Sequence, residues 1–307
     1  MPDFKAVLHA LEWSEYIAHK GAVLQFPRCK PGEACVFNWI DLDGLREAKV
    51  ELSESFNTAV PFKHLVTDKL ISEHKLTAIA GAFPSESWEH WTDNSHEHQF
   101  LKRSCRDVSL VPDPLRTVIF ELNSGPFLAW LSDVTGIPNL LPDPDLRGGG
   151  LHFSGIGGTL TPHTDFHVVK GLPLYRRLNL LLYLNDAWSE GDGGELELWD
   201  KSKDRIEKRV TPLLGKTVIF QTDNISLHGF TNPIANHARH SIALYYYTAE
   251  EAETFSGDGT TYWRSDSVAR SPRDRLRLLT QKGLLGVARV LSSLQWRVNR
   301  LSSKMAK

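Results

Sequence analysis

Leu178-Asn-Leu-Leu-Leu-Tyr-Leu-Asn185 is a short apolar run, and it is one of about eight such runs between Leu151 and Thr248. Turn-forming stretches such as Gly191-Asp-Gly-Gly194 and Asn232-Pro233 separate several of the runs. Closely spaced short strands with turn signals between them are typical of a sandwich or a jelly roll. The predicted strands are Leu151–Ser154, Leu160–Phe166, Leu178–Asn185, Glu195–Trp199, Arg205–Val210, Lys216–Gln221, Ile225–Phe230 and Ala238–Thr248.

Residues 1 to about 110 are predicted to be mixed and mostly irregular with candidate helices, and the segment after the β region is predicted to be helical. We therefore expect one domain over residues 1–307, with an N-terminal supporting region (1–150), a β core (151–248) and a helical tail (266–307). Gly125-Pro126 is expected to kink or divide one of the helices. The predicted elements are helices at Lys5–His19, Leu42–Phe56 and Arg116–Thr135, and a short buried strand at Ala78–Phe83.

Composition limits the classes of function. The 307 residues carry a formal net charge of −2, which gives no global electrostatic reason to bind nucleic acid. Three cysteines are too few for a disulfide framework and favour a reducing compartment, so a cytoplasmic location is expected. The N-terminus lacks the pattern of a signal peptide, and no stretch approaches the roughly 20 apolar residues that span a bilayer.

The tail from Asp266 to Lys307 is strongly basic and has an apolar stripe at helical spacing. One interpretation is a helix that packs on the domain or on a second copy. The other is a peripheral anchor on an anionic membrane surface, or a contact to an acidic partner. The sequence does not predict an oligomeric state.

Three residues are candidates for a metal site. His163 and Asp165 lie two apart, so on a strand they project from the same face. They supply two members of the two-histidine, one-carboxylate triad that binds non-haem Fe(II). His228 is the candidate for the third, although a lone histidine there is also typical of a hydrogen-bonded structural imidazole. His96 and His98, in the segment Trp88–His98, form a minor rival site; that segment also fits a polar surface loop or a substrate-facing loop.

A second set of residues is suited to binding a carboxylate. Arg239 and Ser241 share one face of a strand, where a guanidinium and a hydroxyl can donate to the same anion. Tyr183 and Asn179 share a face of another strand, and the phenol can add a further hydrogen bond. Iron ligands next to such a clamp predict a site for an acidic, chelating co-substrate. His152 is a candidate pocket residue or a structural one, whereas His167 is not expected to be a ligand.

The order of these motifs resembles one known family. His163-x-Asp165, His228 and Arg239-x-Ser241 are joined by Arg177-Leu-Asn-Leu-Leu-Leu-Tyr-Leu-Asn-Asp-Ala-Trp188 and Gly193-Gly-Glu-Leu-Glu-Leu-Trp199. Together they resemble the 2-oxoglutarate/Fe(II)-dependent dioxygenases, in the prolyl 4-hydroxylase-like branch, over about a third of the chain. The resemblance implies a double-stranded β-helix (jelly-roll, cupin-like) core.

The resemblance also implies roles for the residues. Iron would be bound by His163, Asp165 and His228, and the distal carboxylate of 2-oxoglutarate by Arg239 with help from Ser241 and Tyr183. Asn179 and His152 are further candidates for co-substrate contacts. Collagen-type prolyl hydroxylases have lysine where this chain has Arg239, and halogenases of the superfamily lack the carboxylate that Asp165 supplies. The expected cofactors are Fe(II) and 2-oxoglutarate, with ascorbate as a candidate addition.

The expected reaction is hydroxylation of an unactivated C–H bond by dioxygen, with release of succinate and CO2. The substrate would be an amino acid, a peptidyl (proline-like) group or a small metabolite. Two alternatives remain at this stage. The same centre could catalyse desaturation, cyclisation or demethylation, because the outcome depends on substrate placement within about an ångström. A jelly-roll binding or sensor module without turnover is the other.

Overall fold

The computed structural model describes residues 37–143, 145–169, 172–200, 205–250 and 261–264. The chain divides into two units, residues 1–38 and 39–307, and every element named below belongs to the second. The helix expected at Lys5–His19 and the basic tail Asp266–Lys307 lie outside the described residues. The tail's interpretations, and the single-domain organisation, therefore stay predictions.

Antiparallel strands form one continuous sheet, whose main path runs in the order β1-β8-β5-β10-β4-β9-β6-β7. Outside this path, β11 and β3 pair with β4, and β2 pairs with β3. Each of the eight predicted runs overlaps one of the strands β4 to β10, so the mainly β jelly-roll fold is confirmed. The bounds are β1 His64–Thr67, β2 Thr92–Asp93, β3 Gln99–Cys105, β4 Gly150–Thr164, β5 Tyr175–Tyr183, β6 Leu196–Asp200, β7 Arg205–Val210, β8 Thr217–Gln221, β9 His228–Phe230, β10 Arg239–Thr248 and β11 Tyr262–Trp263.

The long strand β4 joins the two halves of the sheet. Its first residues pair with β3 and β10, whereas its last residues pair with β9. Two predicted strands are thus one strand that continues through Gly155-Ile-Gly-Gly158, where Gly157 has a φ of +85°. Tyr183, Leu196, Leu198 and Phe220 pack together, so β5 and β8 face β6 across an apolar core. This interior holds the candidate site.

Within the described residues, five short helices flank the sheet: α1 Leu42–Glu47, α2 Lys49–Thr58, α3 Glu73–Gly81, α4 Leu115–Leu122 and α5 Gly125–Thr135. Trp130 of α5 donates to the carbonyl of Leu45 in α1 at 2.9 Å, and buried Glu121 of α4 accepts the backbone N–H groups of Trp39 and Ile40. Tyr246 of β10 donates to the carbonyl of Leu122 at 3.1 Å, which ties α4 to the sheet.

Two helix predictions are confirmed in a divided form. Leu42–Phe56 forms α1 and α2, and Arg116–Thr135 is split at Gly125-Pro126 into α4 and α5. The strand predicted at Ala78–Phe83 is wrong, because Glu73–Gly81 is helix α3 with Leu76 and Ile79 buried on one face. A short apolar run does not distinguish a buried strand from a helix. Within the described residues no helix has the length and apolarity needed to cross a bilayer.

Candidate metal centre and co-substrate pocket

The register between β4 and β9 places His163 directly opposite His228. Their ring centroids are 4.5 Å apart, and both side chains are buried. Each Nδ1 lies within hydrogen-bond distance of the carbonyl two residues earlier in the sequence. The distance is 2.9 Å from His163 to Thr161 O and 3.0 Å from His228 to Ser226 O. A carbonyl only accepts, so Nδ1 carries the proton and each Nε2 is free to bind a metal.

The chain around His228 is shaped for this approach. Before β9, the Ser226 hydroxyl accepts from the backbone N–H of Asp223 and donates to its carbonyl, which closes a tight turn. After His228, the strand passes so close to β4 that a Cβ on Gly229 would lie 2.7 Å from the carbonyl oxygen of Leu160. Only glycine permits that contact, which keeps the two histidines side by side.

Asp165 completes the group, as the first residue after β4. Its Oδ1 lies 3.5 Å from Nε2 of His163, and its Oδ2 lies 3.5 Å from Nε2 of His228. Within the described residues, these three form the one group of three or more His, Cys, Asp or Glu side chains close enough to hold a metal. The rival pair His96 and His98 is in no such group.

Two donors orient the Asp165 carboxylate. Arg176 Nη2 donates to Oδ2 at 2.9 Å, and the amide of Asn179 donates to the same oxygen at 2.7 Å. Arg176 Nε also donates to Asn179 Oδ1 at 2.7 Å, which locks the pair. The Arg176 guanidinium is buried against the ring of Tyr245, 3.4 Å from its centroid. Because Oδ2 is occupied, Oδ1 is the carboxylate oxygen left for a metal.

Burial and charge set the protonation of these groups. Burial by itself would raise the pKa of Asp165, but Arg176, His228 and His163 outweigh it and hold that pKa well below its usual range. Burial and the neighbouring His163 lower the pKa of His228 to about 4, although Asp165 acts in the opposite direction. The site therefore presents an ionised carboxylate and a neutral His228, the forms that bind a divalent metal.

Arg176 is a site residue that sequence reasoning missed. Side chains on a strand alternate between its two faces, so counting back in steps of two from Tyr183 through Asn179 predicts that Arg177 points into the site. However, the pairing of β5 with β10 shifts between Tyr246, opposite Leu178, and Tyr247, opposite Arg176. Arg177 is the extra residue of this bulge, so Arg176 takes its place on the inner face.

Arg239 has the surroundings expected of a residue that binds a carboxylate. Its side chain is buried on β10, and Nη2 donates to the phenol oxygen of Tyr183 at 2.9 Å. Its Nε is buried without a hydrogen-bond partner, and within the described residues no acid lies within ion-pair distance of it. Next to Arg239, a Cβ on Gly194 would lie 2.8 Å from Ile234, and the φ of Gly194 is +65°, so this turn requires glycine.

Strand register aligns the remaining candidates in one row. Ser104, His152, Ser241 and Tyr183 are successive partners across β3, β4, β10 and β5. Ser241 and His152 therefore face the cavity, and Nε2 of His152 pairs with Gly148 O at 2.9 Å. Asn179 also faces the cavity, but its amide contacts Asp165. Its predicted contact with a co-substrate, and those of His152 and Ser241, stay predictions.

A cavity of about 440 Å³ is lined by the triad and by Arg176, Asn179, Arg239, Ser241 and His152, whereas Tyr183, which contacts Arg239, is not one of its lining residues. Aromatic rings form part of its wall, and the Trp263 ring lies 4.6 Å from that of His163. Asn94 and His96 also line the cavity, so the segment Trp88–His98 includes residues that face the site. Lys102 on β3 is a further lining residue that the sequence did not single out. Burial lowers the pKa of Lys102 to about 8, and Asp165 opposes that shift.

The residues fit both groups that the sequence resemblance implies. Two neutral imidazoles and a carboxylate on one side of a cavity match the donor set of a non-haem iron centre with open positions. The buried Arg239 guanidinium, beside a phenol whose proton is free to donate, matches the distal carboxylate of a 2-oxo diacid.

This chain is similar to known proteins in sequence and in structure. Residues 149–247 match the sequence model of the 2OG-Fe(II) oxygenase superfamily. Among solved structures, a prolyl 4-hydroxylase from Phytophthora capsici is similar with a TM-score of 0.49 and 20% identity, covering 73% of this chain and 70% of that chain. HygX from Streptomyces hygroscopicus, solved with nickel and 2-oxoglutarate bound, is similar with a TM-score of 0.45 and 13% identity, covering 70% of this chain and 96% of that chain.

The matched region and the triad inside it define the class. This chain carries the sequence pattern of the 2OG-Fe(II) oxygenase superfamily over residues 149–247. It is a 2-oxoglutarate-dependent dioxygenase whose cofactors are Fe(II) and 2-oxoglutarate. The superfamily, the enzyme class and the two cofactors expected from the sequence are thereby confirmed.

Proposed function

We propose that this chain hydroxylates an unactivated C–H bond of an amino-acid, peptidyl (proline-like) or small-metabolite substrate, with release of succinate and CO2. The single observation that carries the proposal is the shared cavity. It holds an open metal-ligand triad and, on neighbouring strands, a buried guanidinium with no acidic partner among the described residues.

In this proposal, His163, Asp165 and His228 hold Fe(II). Bound iron together with 2-oxoglutarate and dioxygen supplies the oxidising power, which no side chain can provide. Arg176 and Asn179 keep Asp165 Oδ2 occupied, so Oδ1 would be the carboxylate oxygen available to the metal. The carbonyls that accept from the two imidazoles fix their tautomers and their orientation.

Arg239 orients the co-substrate by its distal carboxylate. The phenol of Tyr183 accepts from Arg239, so its own proton can be donated to the same carboxylate, and Ser241 is the neighbour of Tyr183 across the sheet. Two buried aromatic rings shield Arg239 from water; the ring centroids of Phe230 and Tyr183 each lie 4.7 Å from the guanidinium carbon. Exclusion of water strengthens the charge-assisted contact.

The experiment that tests the centre is spectroscopic. Under anaerobic conditions, Fe(II) and then 2-oxoglutarate are added to the wild type, to His228→Ala and to His240→Ala. His240 serves as the matched control because it stacks on Phe83, 4.4 Å away, and does not line the cavity. We expect the visible charge-transfer band of the chelate in wild type and His240→Ala, and its loss in His228→Ala. A band that survives in His228→Ala would contradict the ligand assignment.

The reaction type is tested with labelled dioxygen. Substrates are first screened by succinate release, and the product of a positive compound is then examined by mass spectrometry. Hydroxylation predicts the gain of one labelled oxygen atom. A product that has lost two hydrogens and gained no oxygen would refute hydroxylation in favour of desaturation.

A cytoplasmic location, supported by the low cysteine content, remains part of the proposal and can be tested by cell fractionation.

A further inference from the structure

The cavity contains more positive charge than the metal-binding and co-substrate roles use. Among the described residues, its charged lining side chains are four bases and a single acid: Lys102, Arg106, Arg176, Arg239 and Asp165. Arg176 pairs with Asp165, and Arg239 is assigned to the co-substrate carboxylate. The two negative charges of 2-oxoglutarate are balanced by the two positive charges of Fe(II). Lys102 and Arg106 then remain, and within the described residues neither has an acid within ion-pair distance.

These two bases belong to one stripe of donors on β3. Lys102, Ser104 and Arg106 occupy alternate positions at and just beyond the end of the strand, and all three line the cavity. The Ser104 hydroxyl accepts from the amide of Asn94 at 2.6 Å, so its own proton can be donated into the cavity. An ammonium, a hydroxyl and a guanidinium in a row bind an anionic oxygen group and offer little to a neutral one.

Strand register separates this stripe from the co-substrate clamp. Lys102 lies opposite Ser154 on β4, and Ser154 lies opposite Arg239 on β10. Two strand spacings put the Cα atoms of Lys102 and Arg239 about 10 Å apart. Tyr183 lies on β5, on the far side of Arg239 from Lys102. The two sets of donors therefore suit two different anions.

We propose that Lys102, Ser104 and Arg106 form a recognition site for a carboxylate or phosphate group of the primary substrate. This inference rests on the proposed function, since it places the substrate in the same cavity as the metal. It narrows the substrate class to anionic molecules, such as an amino acid with a free carboxylate or a phosphorylated metabolite. It also makes the β3 stripe a determinant of specificity, separate from the groups that bind 2-oxoglutarate.

The test uses the full chain with Zn(II) in place of Fe(II) and with 2-oxoglutarate bound. Lysines are dimethylated with a carbon-13 label, which preserves their charge, and the Lys102 resonance is assigned by its loss in Lys102→Met. Inorganic phosphate and acetate are the probes, in separate titrations. We expect a saturable shift of the Lys102 resonance with at least one probe. The resonance of Lys208, which lies exposed on β7, should move no more than it does with added sodium chloride.

Two variants keep the Lys102 reporter in place. Arg106→Met should weaken the anion response roughly tenfold, which corresponds to about 1.4 kcal/mol. Arg46→Met removes the same charge from an exposed position on α1 and should leave the response unchanged. Saturation by phosphate alone would indicate a phosphorylated substrate, and saturation by acetate alone would indicate a carboxylate; either supports the site.

Two results would overturn the inference. One is a Lys102 resonance that shifts no more than that of Lys208. The other is a Lys102→Met variant whose 2-oxoglutarate requirement rises as much as that of Arg239→Met, which would place Lys102 in the co-substrate clamp. The anaerobic Fe(II)–2-oxoglutarate band is scored separately. Its absence in wild type, together with a saturable anion response, would refute the proposed function while leaving the anion site in place.

Discussion

Replacement of Arg239 by methionine tests the co-substrate clamp most directly. The substitution keeps much of the side-chain volume and removes the guanidinium. Loss of one partner from a buried, hydrogen-bonded charge pair costs about 2–5 kcal/mol. Tyr183 and Ser241 remain next to the site, so we take the lower end, about 2 kcal/mol, which is roughly thirtyfold in affinity for 2-oxoglutarate.

The same substitution should have opposite effects on the protein with and without its co-substrate. Without it, Arg239 is a buried cation with no acidic partner among the described residues, so Arg239→Met should be as stable as wild type or more stable. With the metal and 2-oxoglutarate at about 100 times the wild-type Kd, linkage stabilises the wild type by about 2.7 kcal/mol. A thirtyfold weaker variant gains only about 0.9 kcal/mol under the same conditions.

The assay combines two measurements on each protein. The anaerobic visible band reports the 2-oxoglutarate dependence, and thermal or urea unfolding reports the stabilisation. Arg46→Met is the matched control, because Arg46 lies exposed on α1, pairs with the exposed Asp43 and does not line the cavity. An unchanged 2-oxoglutarate dependence in Arg239→Met, or an equal loss in Arg46→Met, would refute the clamp.

Three further predictions concern the metal site and the sheet. Asp165→Asn should abolish metal-dependent turnover while circular dichroism stays native, because an amide can still accept from Arg176 but carries no charge for the metal. Gly229→Ala should weaken metal binding, measured by titration, because its Cβ would push His228 away from β4. His240→Phe should reduce the pH dependence of stability. Burial lowers the pKa of His240 to about 4, so its neutral form stabilises the fold above about pH 6.5, and up to roughly 3 kcal/mol is lost as pH falls towards 4.

Each of these has an outcome that would contradict it. Turnover by Asp165→Asn at the wild-type rate would exclude that carboxylate as a ligand. Unchanged metal affinity in Gly229→Ala would show that β9 can move without displacing the histidine. A stability-versus-pH curve for His240→Phe that parallels wild type between pH 6.5 and 4 would exclude His240 as the source of the acid sensitivity.

The metal triad could be predicted because its signals are local. His163 and Asp165 are two residues apart, and the strand pattern around His228 marks a third position on the same sheet. What the sequence could not supply was the register, which places His163 opposite His228. Register depends on the partner strand and on turn geometry, and a one-residue slip would turn either imidazole to the other face.

The residues that were missed depend on features with no local signal. Arg176 faces the site only because Arg177 is bulged, and a strict two-residue alternation selects the wrong arginine. Lys102 lies on β3, a strand that was not predicted because the segment Gln99–Cys105 is largely polar. Lys102 lines the cavity because β3 pairs with β4, and the sequence around Lys102 gives no sign of that pairing. The helix α3 was misassigned for the converse reason, since a short apolar run fits either structure.

Strand register also connects the chemistry to the choice of substrate. In the strand order β5, β10, β4, β3, Tyr183 and Arg239 lie on the first two strands and Lys102 lies on the last. The metal ligands on β4 and β9 lie in the same cavity. A molecule bound by the β3 stripe is therefore held independently of the anion on Arg239. Substitutions on β10 should change the 2-oxoglutarate requirement, and substitutions on β3 should change which substrate is accepted, because we propose that the two strands bind different anions.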